Sequence, residues 1–458
     1  MKQLWAVILA AGQGTRMNSS RPKVLHLLCG KPLLWHVLRS ARGITDKQIL
    51  IVGHGAEDIK AYFGEKLCYV DQEQQLGTGH ALQQALPYLP DQGEILVLCG
   101  DTPLLEERVL GGFIDEHRRH QAAASILTAI LEQPTGYGRV LRDEAGNVLK
   151  IVEELHATEQ QKEIKEINTG SYCFDLQLLR QYLPLLPKNT IKGEYYLTDL
   201  VAMLSQAGHL VQGYLLEDAN FALGINDRVQ LAWAASCLRE RINTRLMSSG
   251  VTMIDPATTY IDVEVEVGRD TIIYPQTVLE GKTKIGENCV LGPGVHLIDT
   301  EVGDNVICRQ STVLQSRLGN NCLVGPYAHI RPGSTIGSGV KIGDFVEIKN
   351  SRIGHKSRIP HLSYVGDAVI ADDVNMGAGS IIVNYDGRQK HLTTIEEGAF
   401  VGCNSNLVAP LTIGKKSFIA AGSTITRDVP PGALAISRSR QKTKERIGER
   451  FIAKKSDK

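Results

Sequence analysis

The sequence predicts an α/β fold in two parts, and three features of its 458 residues predict it. Up to about Arg228, short apolar runs alternate with amphipathic stretches, the pattern of strands buried on both faces with helices between them. Val229–Ser248 then runs without Gly or Pro. From about Val267 an aliphatic residue recurs at every sixth position. We expect an N-terminal α/β domain with a mostly parallel sheet over residues 1–227, a linker helix over 228–248, and a parallel β-helix of hexapeptide repeats over 249–458.

In the first part, Leu4–Leu9, Gln48–Val52, Leu67–Val70, Ile95–Leu98 and Ala124–Ile130 read as strands. Gly79–Leu86 and Glu106–His120 read as helices; in the second, Val109, Leu110, Phe113, Ile114 and His117 share one face. In the linker, Leu231, Ala235, Leu238, Ile242 and Leu246 recur at helical spacing, and Gly250 ends the helix.

The repeats begin Val267, Ile273, Leu279, Ile285, Leu291, Leu297. After a slip they continue Val302, Cys308, Leu314, then Leu318, Val324, Ile330, Ile336, Ile342, Ile348. Later runs are Ile353, Ile359, Val365; Ile370, Met376, Ile382; and Ile395 through Ile425. A period of six cannot be an amphipathic helix, whose apolar spacing averages about 3.6. It fits a β-helix with one inward aliphatic per hexapeptide and about 18 residues per coil. Small residues at the corners would let the chain turn. The period breaks between Ile382 and Ile395, which predicts a loop projecting from one edge.

Lys+Arg and Asp+Glu both number 50. A neutral chain has no global attraction for nucleic acid or an anionic membrane, so any phosphate site must be built locally. The nine cysteines are odd in number and form no C-x-x-C pair, which argues against a disulfide framework or zinc knuckle and for a reducing cytoplasm. The N-terminal apolar run is too short for a membrane span and reads as a buried strand, not a signal peptide.

Two constellations carry chemistry. Leu9-Ala10-Ala11-Gly12-Gln13-Gly14-Thr15-Arg16-Met17 follows the first strand, where small residues let backbone N–H groups approach phosphate oxygens. Arg16 and Lys23, in Pro22-Lys23-Val24-Leu25, add cations. No Walker lysine follows the glycines, and the third glycine of a dinucleotide fingerprint is missing. Asp101, in Leu98-Cys99-Gly100-Asp101-Thr102-Pro103, ends a strand at the carboxyl edge, where α/β sheets bind ligands.

In the repeats, Arg331 and Lys349 stand 18 residues apart. One coil of separation should stack these cations on one face as a phosphate site. His361, in His361-Leu362-Ser363-Tyr364-Val365-Gly366-Asp367, is the general-base candidate, since His titrates near neutral pH. Tyr364, Asn375 and the Asn384-Tyr385 pair are further polar residues that the period does not require. After Arg438 the tail is basic, reading as a solvated segment, with contact to ligand phosphates as the alternative.

The glycine-rich run, Gln72, Leu76-Gly77-Thr78-Gly79-His80, the Asp101 motif, Pro134-Thr135-Gly136-Tyr137-Gly138-Arg139, Glu153 and Asn168, followed by the repeats and the His361 motif, resemble one bacterial family. It is the bifunctional N-acetylglucosamine-1-phosphate uridyltransferase/glucosamine-1-phosphate N-acetyltransferases, and the resemblance spans about residues 4–440. It implies a nucleotide-binding first domain and a left-handed β-helix. It also implies cytoplasmic synthesis of UDP-N-acetylglucosamine from acetyl-CoA, glucosamine 1-phosphate and UTP, by way of N-acetylglucosamine 1-phosphate. UTP and UDP-sugar would contact Leu9, Ala10, Ala11, Gly12, Lys23, Gln72, Gly77, Thr78, Cys99, Gly100 and Asp101. Gly138, Glu153 and Asn168 would hold the amino sugar, and Asp101 with Asn226 would hold Mg²⁺.

Arg16 and Lys23 would offset charge on the triphosphate. Arg331, Lys349, Tyr364 and Asn375 would bind glucosamine 1-phosphate. Ala378, Cys403, Ala421 and Arg438 would line the acetyl-CoA site, with Asn384 and Tyr385 at the sugar phosphate or the coenzyme. Gln13 stands where many relatives have Lys, and Cys403 where Ser is usual. The projecting loop and the family point to a homotrimer with acetyl-transfer sites between subunits. The alternative is a single-activity sugar-1-phosphate nucleotidyltransferase whose β-helix only regulates or assembles it.

Overall fold

In the computed structural model, residues 3–189 and 192–452 are described; Lys454, Lys455, Asp457 and Lys458 of the basic tail lie outside them. The chain divides into two units, Met1–Leu238 and Arg239–Lys458. The division falls within the linker helix, Arg228–Ser248. Ala234 of its first half packs with Leu28, Leu33, Leu104 and Ile225. Ile242, Asn243 and Leu246 of its second half are buried, and Asn243 Nδ2 donates to the carbonyl oxygens of Pro256 and Thr259.

The first unit is built on one mixed sheet. Across it run Val211–Leu215, Ala124–Ile130, Glu166–Asp175, Glu94–Cys99, Leu4–Ala10, Gln48–Val52 and Cys68–Asp71. Only Glu166–Asp175 runs antiparallel to its neighbours along this path. Leu4–Ala10 lies between Glu94–Cys99 and Gln48–Val52, and Ala6, Val7 and Ile8 are fully buried because both faces carry helices. Leu110, Phe113, Ile114 and His117 of helix Glu107–His120 are buried as the helical spacing predicts, with Val109 beside them.

The second unit winds through three parallel sheets of 11, 10 and 9 strands among the described residues. It is the parallel β-helix that the six-residue period predicts. Successive strands of a sheet pair in register, as in Leu279↔Leu297 and Ile348↔Val365, so each inward aliphatic stacks on one from the coil below. One expected position is corrected. Val313, not Leu314, points inward, because Val313 pairs with Leu297 and with Ile330 while Leu314 is only half-buried. The coil there is shortened at a corner, and one residue of slip flips the side chains.

The corners also differ from the small-residue expectation. Many are turned by left-handed residues with side chains, among them Asn288, Asp299, Asn305, Asn350 and Asp373. Short polar side chains tolerate this conformation by bonding locally. Beside them sit buried hydroxyls the period did not signal. Ser351 Oγ accepts from Ala368 N and donates to Lys349 O, and Ser357 bridges Ala371 O and Val374 N in the same way.

The break between Ile382 and Ile395 is an internally bonded loop. Tyr385 and Lys390 form an antiparallel bridge, and the Asp386 carboxylate accepts from Arg388 N, Gln389 N and His391 Nε2. The expectation that the whole insertion reaches outward is corrected at its root. Asn384 is buried on its own coil, its Nδ2 donating to Asp367 Oδ2 at 2.5 Å. Tyr385 stays exposed.

Candidate active sites

The first site forms at the carboxyl edge of the mixed sheet. The side chains of Ala10 and Ala11 are buried in the core and Gly12 has none, so Ala10-Ala11-Gly12 can offer a ligand only backbone. Gly100 N donates to Leu9 O at 2.9 Å, which seats the Cys99-Gly100-Asp101 turn beside that backbone. Gly14 has φ of 63°, and a Cβ there would lie 2.5 Å from Lys23 Cβ. Only glycine lets the loop close over Lys23 in this conformation.

Lys23 Nζ is ion-paired with Asp101 and lies 3.2 Å from Asn226 Oδ1, which also accepts from Arg16 Nη2 at 2.9 Å. Four predicted residues, separated by up to 210 positions, thus meet at one point. The Asp101 charge is felt around it: burial, then Asp101, pushes the Cys99 thiol up to about 12 and raises the Tyr137 phenol. Tyr137 therefore borders this cluster, although the sequence singled it out only as part of a motif. The fit to a divalent cation is favourable. A carboxylate oxygen and an amide oxygen converge on one cationic nitrogen, the hard donor pair that Mg²⁺ takes when phosphates complete its shell.

Gly138, Glu153 and Asn168 gather beside it. Asn168 N donates to Gly138 O at 2.9 Å, and a Cβ at Gly138 would lie 3.7 Å from Glu153 Oε2. The register of Glu166–Asp175 shifts between Asn168 and Tyr172, the irregularity that re-aims a side chain. Asn168 Nδ2 then donates to the Tyr172 hydroxyl at 2.7 Å, and Thr198 Oγ1 donates to Glu153 Oε1 at 3.0 Å. Tyr172 and Thr198 carried no sequence signal, because each acts by holding another residue. Gln72 and Gly77 are also joined, Gln72 Nε2 donating to Gly77 O at 3.1 Å. Thr78 Oγ1 accepts from Leu197 N, tying down the start of helix Leu197–Gln206.

The β-helix carries its candidates on two edges of the 10-stranded face. On the edge entering that face, Asp344 pairs in register with His361, and the Asp344 carboxylate is hydrogen-bonded to His361 Nδ1. That bond holds Asp344 below the usual carboxylate range. It leaves Nε2 of the exposed ring available. Asp344 precedes His361 by one coil, the signal that could have found it. Along the same edge Gly379 N donates to His361 O, Asn404 N to Ala378 O and Gly422 N to Cys403 O, while Arg438 Nη1 donates to Ala421 O at 2.8 Å. His361, Ala378, Cys403 and Ala421 thus mark successive coils of one edge. Asn375, paired with Phe400, lies in the preceding strand. The tail cations Arg440, Lys442, Lys444, Arg446 and Arg450 are exposed.

On the edge leaving the face, Arg331 N donates to Ile348 O, so Arg331 and Lys349 occupy neighbouring coils as predicted. Arg331 is paired with Glu347 at 2.8 Å. Gly366 keeps the edge open: a Cβ there would lie 2.4 Å from the Tyr364 hydroxyl and 2.8 Å from Asn384 Nδ2. Lys390, which the sequence reading passed over, joins Lys349, whose neighbouring ammonium lowers the Lys390 pKa. Burial raises the Asp367 carboxyl, but bonds from Asn350 and Asn384 and the charges of Lys349 and Lys390 outweigh it and hold it low.

These features define a nucleotidyltransferase joined to a hexapeptide-repeat transferase. Residues 6–164 match the MobA-like NTP transferase domain. Residues 264–298 and 315–350 match the bacterial transferase hexapeptide family, and 392–427 the hexapeptide repeat of succinyl-transferase. The chain is 51% identical to bifunctional protein GlmU of Heliobacterium modesticaldum, over 97% of this chain and 98% of that one. It is 51% identical to that of Geobacillus sp. over the full length of both, and 50% identical to that of Brevibacillus brevis over 97% of each. The chain belongs to the GlmU family of bifunctional enzymes, with a uridyltransferase and an acetyltransferase on one polypeptide. No helix among the described residues is long and apolar enough to cross a membrane.

Proposed function

We propose that the chain makes UDP-N-acetylglucosamine in two steps, acetyl transfer and then uridylyl transfer. The observation that carries the reading is the pairing of two intact constellations, Arg16–Lys23–Asp101–Asn226 and Asp344–His361, in one chain of this family. In the first step His361 Nε2 takes a proton from the amine of glucosamine 1-phosphate as that nitrogen attacks the thioester carbon of acetyl-CoA. The N–C bond forms, the C–S bond breaks and coenzyme A leaves. Asp344 orients the ring and stabilises its protonated form. Lys349, Lys390 and Arg331 hold the phosphate; Tyr364, Asn375 and Asn384 hold the sugar. Ala378, Tyr385, Cys403, Ala421 and Arg438 face the coenzyme.

In the second step a phosphate oxygen of N-acetylglucosamine 1-phosphate attacks the α-phosphorus of UTP in line, and pyrophosphate leaves. Lys23 and Arg16 offset charge on the triphosphate, the Leu9–Gly12 and Cys99–Gly100 backbone cradles it, and Gly138, Glu153 and Asn168 hold the amino sugar. Gln72, Gly77 and Thr78 read the base. Asp101 and Asn226 would hold Mg²⁺, which supplies charge neutralisation between the phosphates.

We further propose a homotrimer. His361 and Lys349 stand on opposite edges of one face, so a neighbouring subunit's edge would complete each acetyl-transfer site. An exposed column of Tyr327, Phe345 and Leu362, all with left-handed φ, runs along the His361 edge. Bulky residues in that conformation cost about 1–2 kcal/mol each, which a buried interface would offset. The odd number of cysteines, nine, with no C-x-x-C pair, supports a reducing cytoplasmic setting. The purified chain should turn over both half-reactions and sediment as a trimer; uridylyl transfer alone would favour the single-activity reading.

A further inference from the structure

Gln72 is 3% exposed, and its side-chain amide is held from one end. Its Nε2 lies 3.1 Å from Gly77 O and 3.0 Å from His80 Nδ1. A carbonyl oxygen only accepts, so Gly77 fixes which end of the amide bears the protons. Nδ1 of His80 must then accept as well. The ring proton then sits on Nε2, and the end of the Gln84 amide that lies 3.2 Å away must be its carbonyl oxygen, since an amide nitrogen cannot accept. The imidazole stacks on Tyr195, with centroids 6.3 Å apart, and rides on helix Thr78–Ala85. Both N–H bonds of Gln72 are therefore taken by protein, and among the described residues Oε1 receives no donor.

We propose that His80 is a positioning residue for base selection. It locks the Gln72 amide so that the carbonyl oxygen alone is offered to the pyrimidine. A base with a ring N–H donor, as in uracil, is accepted. A base whose ring nitrogen is a bare acceptor, as in cytosine, meets lone pair against lone pair. Without His80, Gly77 alone restrains the amide, which can then turn an N–H toward cytosine. The inference rests on the assignment of Gln72 to the nucleotide base.

The test measures kcat/KM with UTP and with CTP for the full chain and for His80→Leu, His80→Asn and Gln72→Leu. The UTP:CTP ratio is independent of the fraction of active protein. His80→Leu should lower it by about tenfold, the scale of one hydrogen bond. His80→Asn, which returns an acceptor near the Nδ1 position, should restore it. If His80→Leu yields too little active enzyme, His80→Ala, suited to a helix, carries the same comparison. An unchanged ratio in the His80 variants with a lost ratio in Gln72→Leu overturns the positioning role alone. An unchanged ratio in Gln72→Leu overturns the base-reading assignment beneath it. Loss in His80→Leu without recovery in His80→Asn makes the residue a packing element and also overturns the proposal.

Discussion

In the first unit, strand ends and loops converge until Lys23, Asp101, Asn226 and Arg16 touch, with Lys23 and Asp101 only 14% and 20% exposed. On the β-helix the corresponding groups stay spread over two edges, and His361 is 53% exposed. The difference follows from topology. An α/β sheet gathers the carboxyl ends of its strands into one crevice, so one chain can enclose a substrate. A solenoid contacts only its neighbouring coils and presents its groups along edges, so a deep site needs a second surface. We therefore expect one site that a single chain completes and one that depends on assembly.

Three experiments put that contrast to the test. The largest effect is expected at His361. His361→Ala should lower acetyl transfer by ~10²–10⁴-fold, the range for a positioned acid–base group, with uridylyl transfer retained. Near-normal acetyl transfer would make His361 structural. Next, Asp101→Ala should lower uridylyl transfer by at least ~10²-fold, the scale of one preorganised electrostatic group, and leave acetyl transfer nearly unchanged. Loss of both activities in a folded protein would deny that the sites are independent. The smallest signal is a recovery. His361→Ala chains dissociated and reassembled with Asn384→Ala chains should regain part of their acetyl transfer, because random assembly leaves about one interface in four with both edges intact. No recovery in verified mixed trimers would place both residues in one chain's site.

The recurring aliphatics were legible because inward positions of a β-helix must be apolar on every coil. The break in the period marked the loop for the same reason. The shortened coil at Val313 was not legible: apolar residues at both 313 and 314 satisfy the pattern, and only pairing with Leu297 and Ile330 chooses between them. Of the site residues, those in contiguous motifs could be read directly. Lys390 lay inside a polar loop whose fold onto Lys349 no spacing rule encodes. Asp344 could have been found by stepping back one coil from His361, once the local coil length was known.

Two folding grammars, the junction helix, and the residue types at the phosphate loop and the His361 motif follow from the order of residues alone. Local pattern sets these, since strand, helix and hexapeptide periods are written in consecutive residues. Tertiary structure decided which distant groups meet: Asn226 with Arg16 and Lys23, Thr198 with Glu153, Asp344 with His361, and His80 with Gln72. Such contacts depend on strand order, coil length and side-chain direction together. A carboxylate, amide or imidazole reads the same in sequence whether it faces water or a partner, and only the folded chain fixes which.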